Sequence, residues 1–384
     1  MRRILFPALL LLALLLTACG QMAEAATASA PVVDKGISWT AMEPTGAMEL
    51  DYADQFSVAY YGDYALISIV GDPERYLLIP EGAEIPADLE ADIVPLCQPL
   101  TNLYLVASGA MDMFLRADAL DSVRFVGLQP EDWHLPGVRE AMEAEELIYA
   151  GKYSAPDYER ICAEGCSLAI ENTMIYHSPE VREELERLGI PVLVEHSSYE
   201  AAPQGRMEWA KLYGLLTGHL EEAAAAYDDQ AARFAALADA GPTGQSVAFF
   251  YVNTNGAAVV RKASDYVPAM IVLAGGSYCF PELGAGEASR SSSATIQMEE
   301  FYLAAKDADF IIYNTNIDGE LETLDDFLAL NELFTNLKAV RDGHVYCTGA
   351  NLYQASMALG DVVSDLHHML LGEDGELTYL FKLE

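Results

Sequence analysis

Basic side chains are scarce in this 384-residue chain: 21 Lys and Arg stand against 59 Asp and Glu, for a formal net charge of −38. A surface of that sign repels phosphate backbones and anionic lipid headgroups, which excludes nucleic-acid binding and electrostatic adhesion to membranes. Cysteine is sparse too, six residues in all, with no spacing that reads as a disulfide framework. Apart from Cys19 they are Cys97, Cys162, Cys166, Cys279 and Cys347, an odd number. Cys162 and Cys166 could pair, but they lack the second Cys or His pair of a zinc site, so buried free thiols are the expectation. Enzyme signatures are missing as well. There is no Gly-x-Ser-x-Gly elbow and no His-Glu-x-x-His; Gly241-Pro-Thr-Gly-Gln-Ser lacks the lysine and spacing of a phosphate loop, and Gly284-Ala-Gly286 lacks a third glycine. The seven histidines are scattered, and the adjacent His367 and His368 point in different directions on a helix. The chain therefore reads as no enzyme, with no metal site and no cofactor of its own. Charged residues are few, 21%, against 52% hydrophobic ones, which rules out disorder and supplies more than one core.

Apolar residues are most concentrated at the start. Met1-Arg-Arg3 precedes a run from Ile4 to Leu16 that is short for a bilayer span and reads as a secretion signal. The run ends in Leu16-Thr-Ala-Cys-Gly20, which resembles the bacterial lipobox, so residues 1–18 are expected to be removed and Cys19 to carry a diacylglycerol. Losing Arg2 and Arg3 takes the charge from −38 to −40. Residues 19–50 then form the lipidated cysteine and a flexible tether rich in Ala, Thr, Pro and Ser. Residues 51–91 contain three β-rich runs, Phe56 to Tyr61, Tyr64 to Val70 and Arg75 to Ile79, parted by Gly62-Asp63 and Gly71-Asp-Pro-Glu74, which predict a meander.

From residue 92 short apolar strands alternate with helical stretches, the pattern of α/β units. Residues 92–218 read as an N-terminal α/β lobe and 241–384 as a C-terminal one. Residues 219–240 between them, rich in Glu and Ala, predict one long bridging helix. The fold expected is α/β: two Rossmann-like lobes joined by that helix, after an N-terminal β-meander. A cleft between strand ends is where such a fold takes a ligand. Ser108 and Gly109 follow the first strand and open a helix, so their N–H groups suit a ligand oxygen. Trp133, Asn172 and Tyr353 sit on comparable loops, the aromatics offering flat area with a polar handle. Arg261 and Lys262 would meet an anionic ligand group or else face solvent. Arg206 reads instead as organising its own helix start or an ion pair, and His134, His177 and His196 as packing or solvated residues.

Several segments recur in a set order: Leu103-Tyr-Leu-Val-Ala-Ser-Gly-Ala-Met111, Gly151 then Asp157-Tyr-Glu-Arg-Ile161, Leu188-Gly-Ile-Pro-Val192, Met270-Ile-Val-Leu-Ala-Gly-Gly276, Ile296-Gln-Met-Glu299, Asp309-Phe-Ile-Ile312 and Ala339-Val-Arg-Asp-Gly-His-Val-Tyr346. Together they resemble the substrate-binding lipoproteins of ABC importers for iron-siderophores, haem and cobalamin, over roughly residues 92 to 371. The resemblance implies a monomeric binding protein, lipid-anchored on the outer face of the cell membrane, that delivers its cargo to a permease dimer with its ATPase. It implies that Glu159 and Glu299, one on each lobe, dock onto that permease, and that Tyr153 lies against the ligand. A ferric-siderophore-type chelate is the cargo expected first, then a corrinoid or haem. A free-metal-binding lipoprotein, or a cofactor-processing enzyme on the same fold, is the rival reading.

Overall fold

Alternating apolar residues between Phe56 and Ile79 build the first sheet, and a computed structural model describes it together with the rest of residues 36–238, 241–285, 292–319, 321–373, 375 and 377–384. The signal segment, Cys19 and the tether before residue 36 lie outside the described residues. Strands β1 (Gly46–Ala47), β2 (Phe56–Tyr61), β3 (Tyr64–Ile69) and β4 (Arg75–Ile79) run antiparallel, with Gly62 at φ 63° in the turn after β2. The sheet is larger than the three-stranded meander expected. β1 adds one edge, and β5 (Ile93–Cys97) pairs parallel to β4 at the other, carrying the sheet past residue 91 into the stretch assigned to the first lobe. Hairpin spacing could not reveal that parallel partner, because a long connection separates it from β4. One sheet face joins the main core through Phe56, Val58, Ile67, Tyr76 and Leu78; the other closes over Trp39, Leu66, Leu77 and Ile79.

The second sheet is wholly parallel, in the order β10-β9-β6-β7-β8. Its strands are β6 (Leu103–Leu105), β7 (Val123–Val126), β8 (Ile148–Tyr149), β9 (Ala169–Glu171) and β10 (Val192–Val194). Between and after them run α1 (Met111–Arg116), α2 (Pro136–Glu143), α3 (Tyr158–Ala163), α4 (Pro179–Arg187) and α5 (Pro203–Thr217). Asp157 caps α3 by accepting the Arg160 N–H, and Pro203 opens α5, where its missing N–H costs nothing.

Helix α6 (Leu220–Ala238) carries the chain onward for about 30 Å, at roughly 1.5 Å per residue. It packs against α5, α1 and the helices of the following lobe, so both lobes share one continuous core. The third sheet comprises β11 (Ser246–Val252), β12 (Ala258–Arg261), β13 (Ser277–Tyr278), β14 (Ser293–Ile296), β15 (Phe310–Tyr313), β16 (Val345–Thr348) and β17 (Leu380–Lys382). Its order is β14-β12-β11-β15-β16-β17, with β13 on β11; β11, β15 and β16 are parallel and the outer strands antiparallel. Helices α7 (Tyr266–Leu273), α8 (Met298–Ala305), α9 (Thr315–Asp318), α10 (Leu324–Leu330), α11 (Lys338–Asp342) and α12 (Leu359–Leu371) complete the lobe.

Candidate functional site

Loops at the strand ends of the two lobes meet along a polar seam. From the first lobe come Ser108 and Gly109, in a single helical turn after β6, and Arg206, in the first turn of α5. From the second come Arg261 at the end of β12, Asp265 and Tyr266 at the start of α7, and Tyr353 in the loop after β16. Arg261 is held from three sides. Its guanidinium donates to the Tyr353 hydroxyl and to Ser292 Oγ at 3.0 Å, lies over the Tyr353 ring at 5.3 Å, and stands 3.7 Å from Asp265 Oδ2. Asp265 also caps α7 by accepting the Val267 N–H at 3.0 Å. Burial raises the Asp265 carboxyl, and Arg261, the Val267 N–H and Arg206 draw it back. Burial likewise pushes the Tyr353 hydroxyl up to about 12, with Arg261 opposing.

Arg206 is placed differently from the helix-organising or ion-paired role its sequence suggests. It is 8% exposed, its guanidinium lies 4.7 Å from the centre of the Tyr266 ring, and among the described residues it has no ion pair and no side-chain hydrogen bond. A Cβ on Gly109 would stand 3.4 Å from its Nη2 and 3.6 Å from the Tyr353 carbonyl oxygen, ordinary contact distances that place Gly109 between the two. The seam thus gathers Gly109, Arg261 and Tyr353 from the sequence-predicted set, with Ser108 next to Gly109 in the same turn, and adds Arg206 and Tyr266.

The other predicted contacts are dispersed. Trp133 is 0% exposed and belongs to the main core, its indole turned inward by the loop after β7 and its N–H without a hydrogen-bond partner among the described residues. Lys262 lays its stem against Gly284 and donates its N–H to the Ser292 carbonyl. Tyr153 packs on a smaller core behind the second sheet. Asn172 caps the turn that follows β9, its Oδ1 accepting the Met174 N–H at 2.9 Å. Glu159 and Glu299 are both exposed, in the first turns of α3 and α8. Of the histidines, His196 is buried, bonded through Nε2 to the Tyr176 hydroxyl at 2.7 Å and through Nδ1 to the Val70 carbonyl at 2.9 Å.

Two cavities flank the seam. One, of about 810 Å³, is walled largely by apolar groups from both lobes and from Tyr52: Ala202, Pro203, Ala263, Pro268 and Val272 among them. The other, of about 570 Å³, lies among His134, Arg139, Glu140, Glu143 and Asn351. Beside it the lobes are fastened together. Gln354 accepts the His134 N–H and donates to the Asp132 carbonyl, each at 2.8 Å, Ser356 donates to the Gly109 carbonyl, and Met357 donates its N–H to Asp112 at 2.9 Å.

Two α/β lobes that meet on a polar seam form a bilobal architecture of the kind that takes a ligand between its lobes. The chain belongs to the periplasmic binding protein family, whose model matches residues 125–352. An uncharacterized lipoprotein of Methanocaldococcus jannaschii is 24% identical over 260 residues, which are 65% of this chain and 59% of that protein, so the match spans less than two thirds of the relative's length. Among solved structures, the periplasmic haem-binding protein HutB of Vibrio cholerae superposes with a TM-score of 0.56 at 16% identity, over 69% of this chain and 98% of that one. A protein of an ABC-type Fe3+-hydroxamate transport system from Saccharomonospora viridis gives 0.54 at 18%, over 71% and 94%. An ABC transporter substrate-binding protein of Listeria monocytogenes gives 0.54 at 14%, over 70% and 98%. At these identities the likenesses establish the fold.

Proposed function

We propose that the protein is an extracytoplasmic solute-binding lipoprotein of an ABC importer, anchored through Cys19, that takes a ferric-siderophore-type chelate between its lobes and delivers it to the permease. The observation that supports this reading best is the meeting of Arg206 and Gly109 from one lobe with Arg261 and Tyr353 from the other in one seam. A bulky, oxygen-rich ligand would be gripped there by groups of both lobes at once, with aromatic rings against its faces. Glu159 and Glu299, exposed on helices of different lobes, are the proposed docking contacts.

A thermal-unfolding panel tests the cargo. Ferric hydroxamates, catecholates, ferric citrate, haem and corrinoids are each added to the purified chain. A ligand at about 100 times its dissociation constant adds roughly 2.7 kcal/mol of stability. A shift confined to ferric chelates supports the proposal. A shift confined to haem or corrinoids transfers it to those cargoes, and the absence of any shift removes the chelate reading.

A further inference from the structure

Arg206 stands out among the cations of the seam. Arg261 has acceptors in Ser292 and Tyr353, whereas Arg206 lies over the Tyr266 ring with five N–H donors and no acceptor among the described residues, although the residue is nine-tenths buried. The guanidinium keeps slight contact with solvent and acts on the Asp265 carboxyl through its charge, yet none of its N–H donors is taken by an acceptor among the described residues, so they stand ready for one from outside the chain. The carboxylates nearby give it charge but no hydrogen bond. Asp265 is engaged by Arg261 and the Val267 N–H, and Glu195 accepts the Ser197 N–H at 2.9 Å. Tyr213, raised by burial and drawn back by Arg206, keeps a buried hydroxyl with no partner, and so does Ser264 beside Asp265. The vicinity therefore offers a cation and two hydroxyls, all lacking partners, at the meeting of two lobes.

The pose of Arg206 is itself built. A strap of residues 51–55, leading into β2, crosses the outer side of the first turns of α5. Glu208 Oε2 accepts the N–H groups of Tyr52 and Ala53 at 2.8 and 2.7 Å, and its Oε1 that of Asp51 at 2.9 Å. Glu200 accepts those of Asp54 and Gln55, at 3.0 and 3.1 Å, and the Trp209 indole N–H at 2.9 Å. Gly205 admits the strap: a Cβ there would sit 2.9 Å from the Tyr52 carbonyl oxygen. Helix α5 has no side-chain cap of its own, so the strap fixes the turn from which Arg206 projects to the opposite, seam-facing side.

We infer that Arg206 is an anion receptor, positioned by the strap, and that the ligand of this protein carries an anionic oxygen group, carboxylate or catecholate in type, which takes the free N–H pair of the guanidinium. The inference rests on the ligand-binding reading above and narrows its cargo to anionic chelates. A bidentate pair between guanidinium and carboxylate is short and directional, and in this seam it would be shielded from the −38 exterior.

The test compares the full chain with Arg206→Met and Arg206→Lys by calorimetric titration and thermal unfolding. The probes are ferric citrate, a ferric tris-catecholate, a charge-neutral ferric trihydroxamate and metal-free citrate. Anionic probes are expected to lose about 10- to 100-fold in affinity on Arg206→Met, with partial recovery in Arg206→Lys. Without ligand, Arg206→Met is expected to melt close to the wild-type temperature, because no side-chain hydrogen bond or ion pair among the described residues is lost. The inference is overturned if the anionic probes bind both forms equally, or if ligand-free Arg206→Met melts well below wild type, which marks a structural arginine. If no ferric chelate of any charge binds the wild type, the chelate reading fails by itself. Metal-free citrate then decides the anion site: a melting shift that vanishes in Arg206→Met supports it, and a shift that persists or is absent overturns it.

Discussion

Glu171 closes β9 on the side that faces the smaller core of the first lobe. It is 0% exposed, and neither carboxylate oxygen has a hydrogen-bond partner among the described residues. Desolvation among Tyr104, Ile161 and their neighbours pushes its carboxyl up to about 8, so the folded chain holds it protonated at neutral pH. Because this folded value lies above the unfolded 4.5, the native state binds the proton more tightly. The stability tied to that proton is complete below pH 4.5 and is lost as pH rises through about 8. At about 1.36 kcal/mol per unit the loss has an upper bound of roughly 4–5 kcal/mol. Glu171→Met removes the titration and the unpartnered oxygens together. The variant should be more stable than wild type at pH 8.5 by a few kcal/mol, with a much smaller difference at pH 5, as read from urea denaturation at the two pH values. Equal gains at both would show that the acid does not titrate with folding.

The strap and α5 form a unit whose strength can be measured apart from ligand binding. Glu208 is fully buried; burial raises its carboxyl, but three strap N–H groups and Lys211 outweigh that and hold it below the usual carboxylate range. The stability it contributes is therefore present above the ordinary glutamate value and lost as pH falls through the lowered one. Glu208→Gln keeps the shape but turns an amide toward N–H groups that need acceptors. It should cost about 2–4 kcal/mol at pH 7, in line with hydrogen bonds to a charged group, and progressively less as pH falls through the lowered value. A cost below about 0.5 kcal/mol at pH 7 would mean that the strap is not fastened by this residue.

The elements themselves were largely legible in the sequence. The runs predicted at Phe56 to Tyr61 and Arg75 to Ile79 coincide with β2 and β4, and the Glu/Ala-rich stretch from His219 contains α6. Local periodicity carries that information. β5 was missed because its pairing is non-local. The site was less legible for the same reason. Arg261 carried a signal as one of few basic residues and Tyr353 as an aromatic on a loop, but nothing in the sequence distinguishes an arginine with partners from one without. Arg206 stands out once Tyr266, Gly109 and the strap surround it, and Trp133 shows that an aromatic on a loop is as readily turned into the core.

The two lobes act as one body as far as their fastening allows. Gln354, Ser356 and Met357 of the second lobe bond to Asp132, His134, Gly109 and Asp112 of the first, and α6 packs between helices of both. Such a body holds Glu159 on α3 and Glu299 on α8 at a nearly fixed separation. An exposed carboxylate paired with an arginine of a partner is worth only about 0–1 kcal/mol alone. Two on a rigid frame gain from each other, since the first contact supplies the second at a high effective concentration. Docking should accordingly respond to the pair far more than to either residue. Glu159→Arg or Glu299→Arg alone is expected to slow uptake of the cargo several-fold, and the double variant to abolish it, because each reversal adds repulsion to a lost attraction. Both glutamates lie outside the seam, so the melting shift produced by the cargo should be the same in the double variant as in wild type. Uptake retained by cells carrying the double variant would rule out these two residues as the docking pair, whereas a lost melting shift would mean that the substitutions act through the fold.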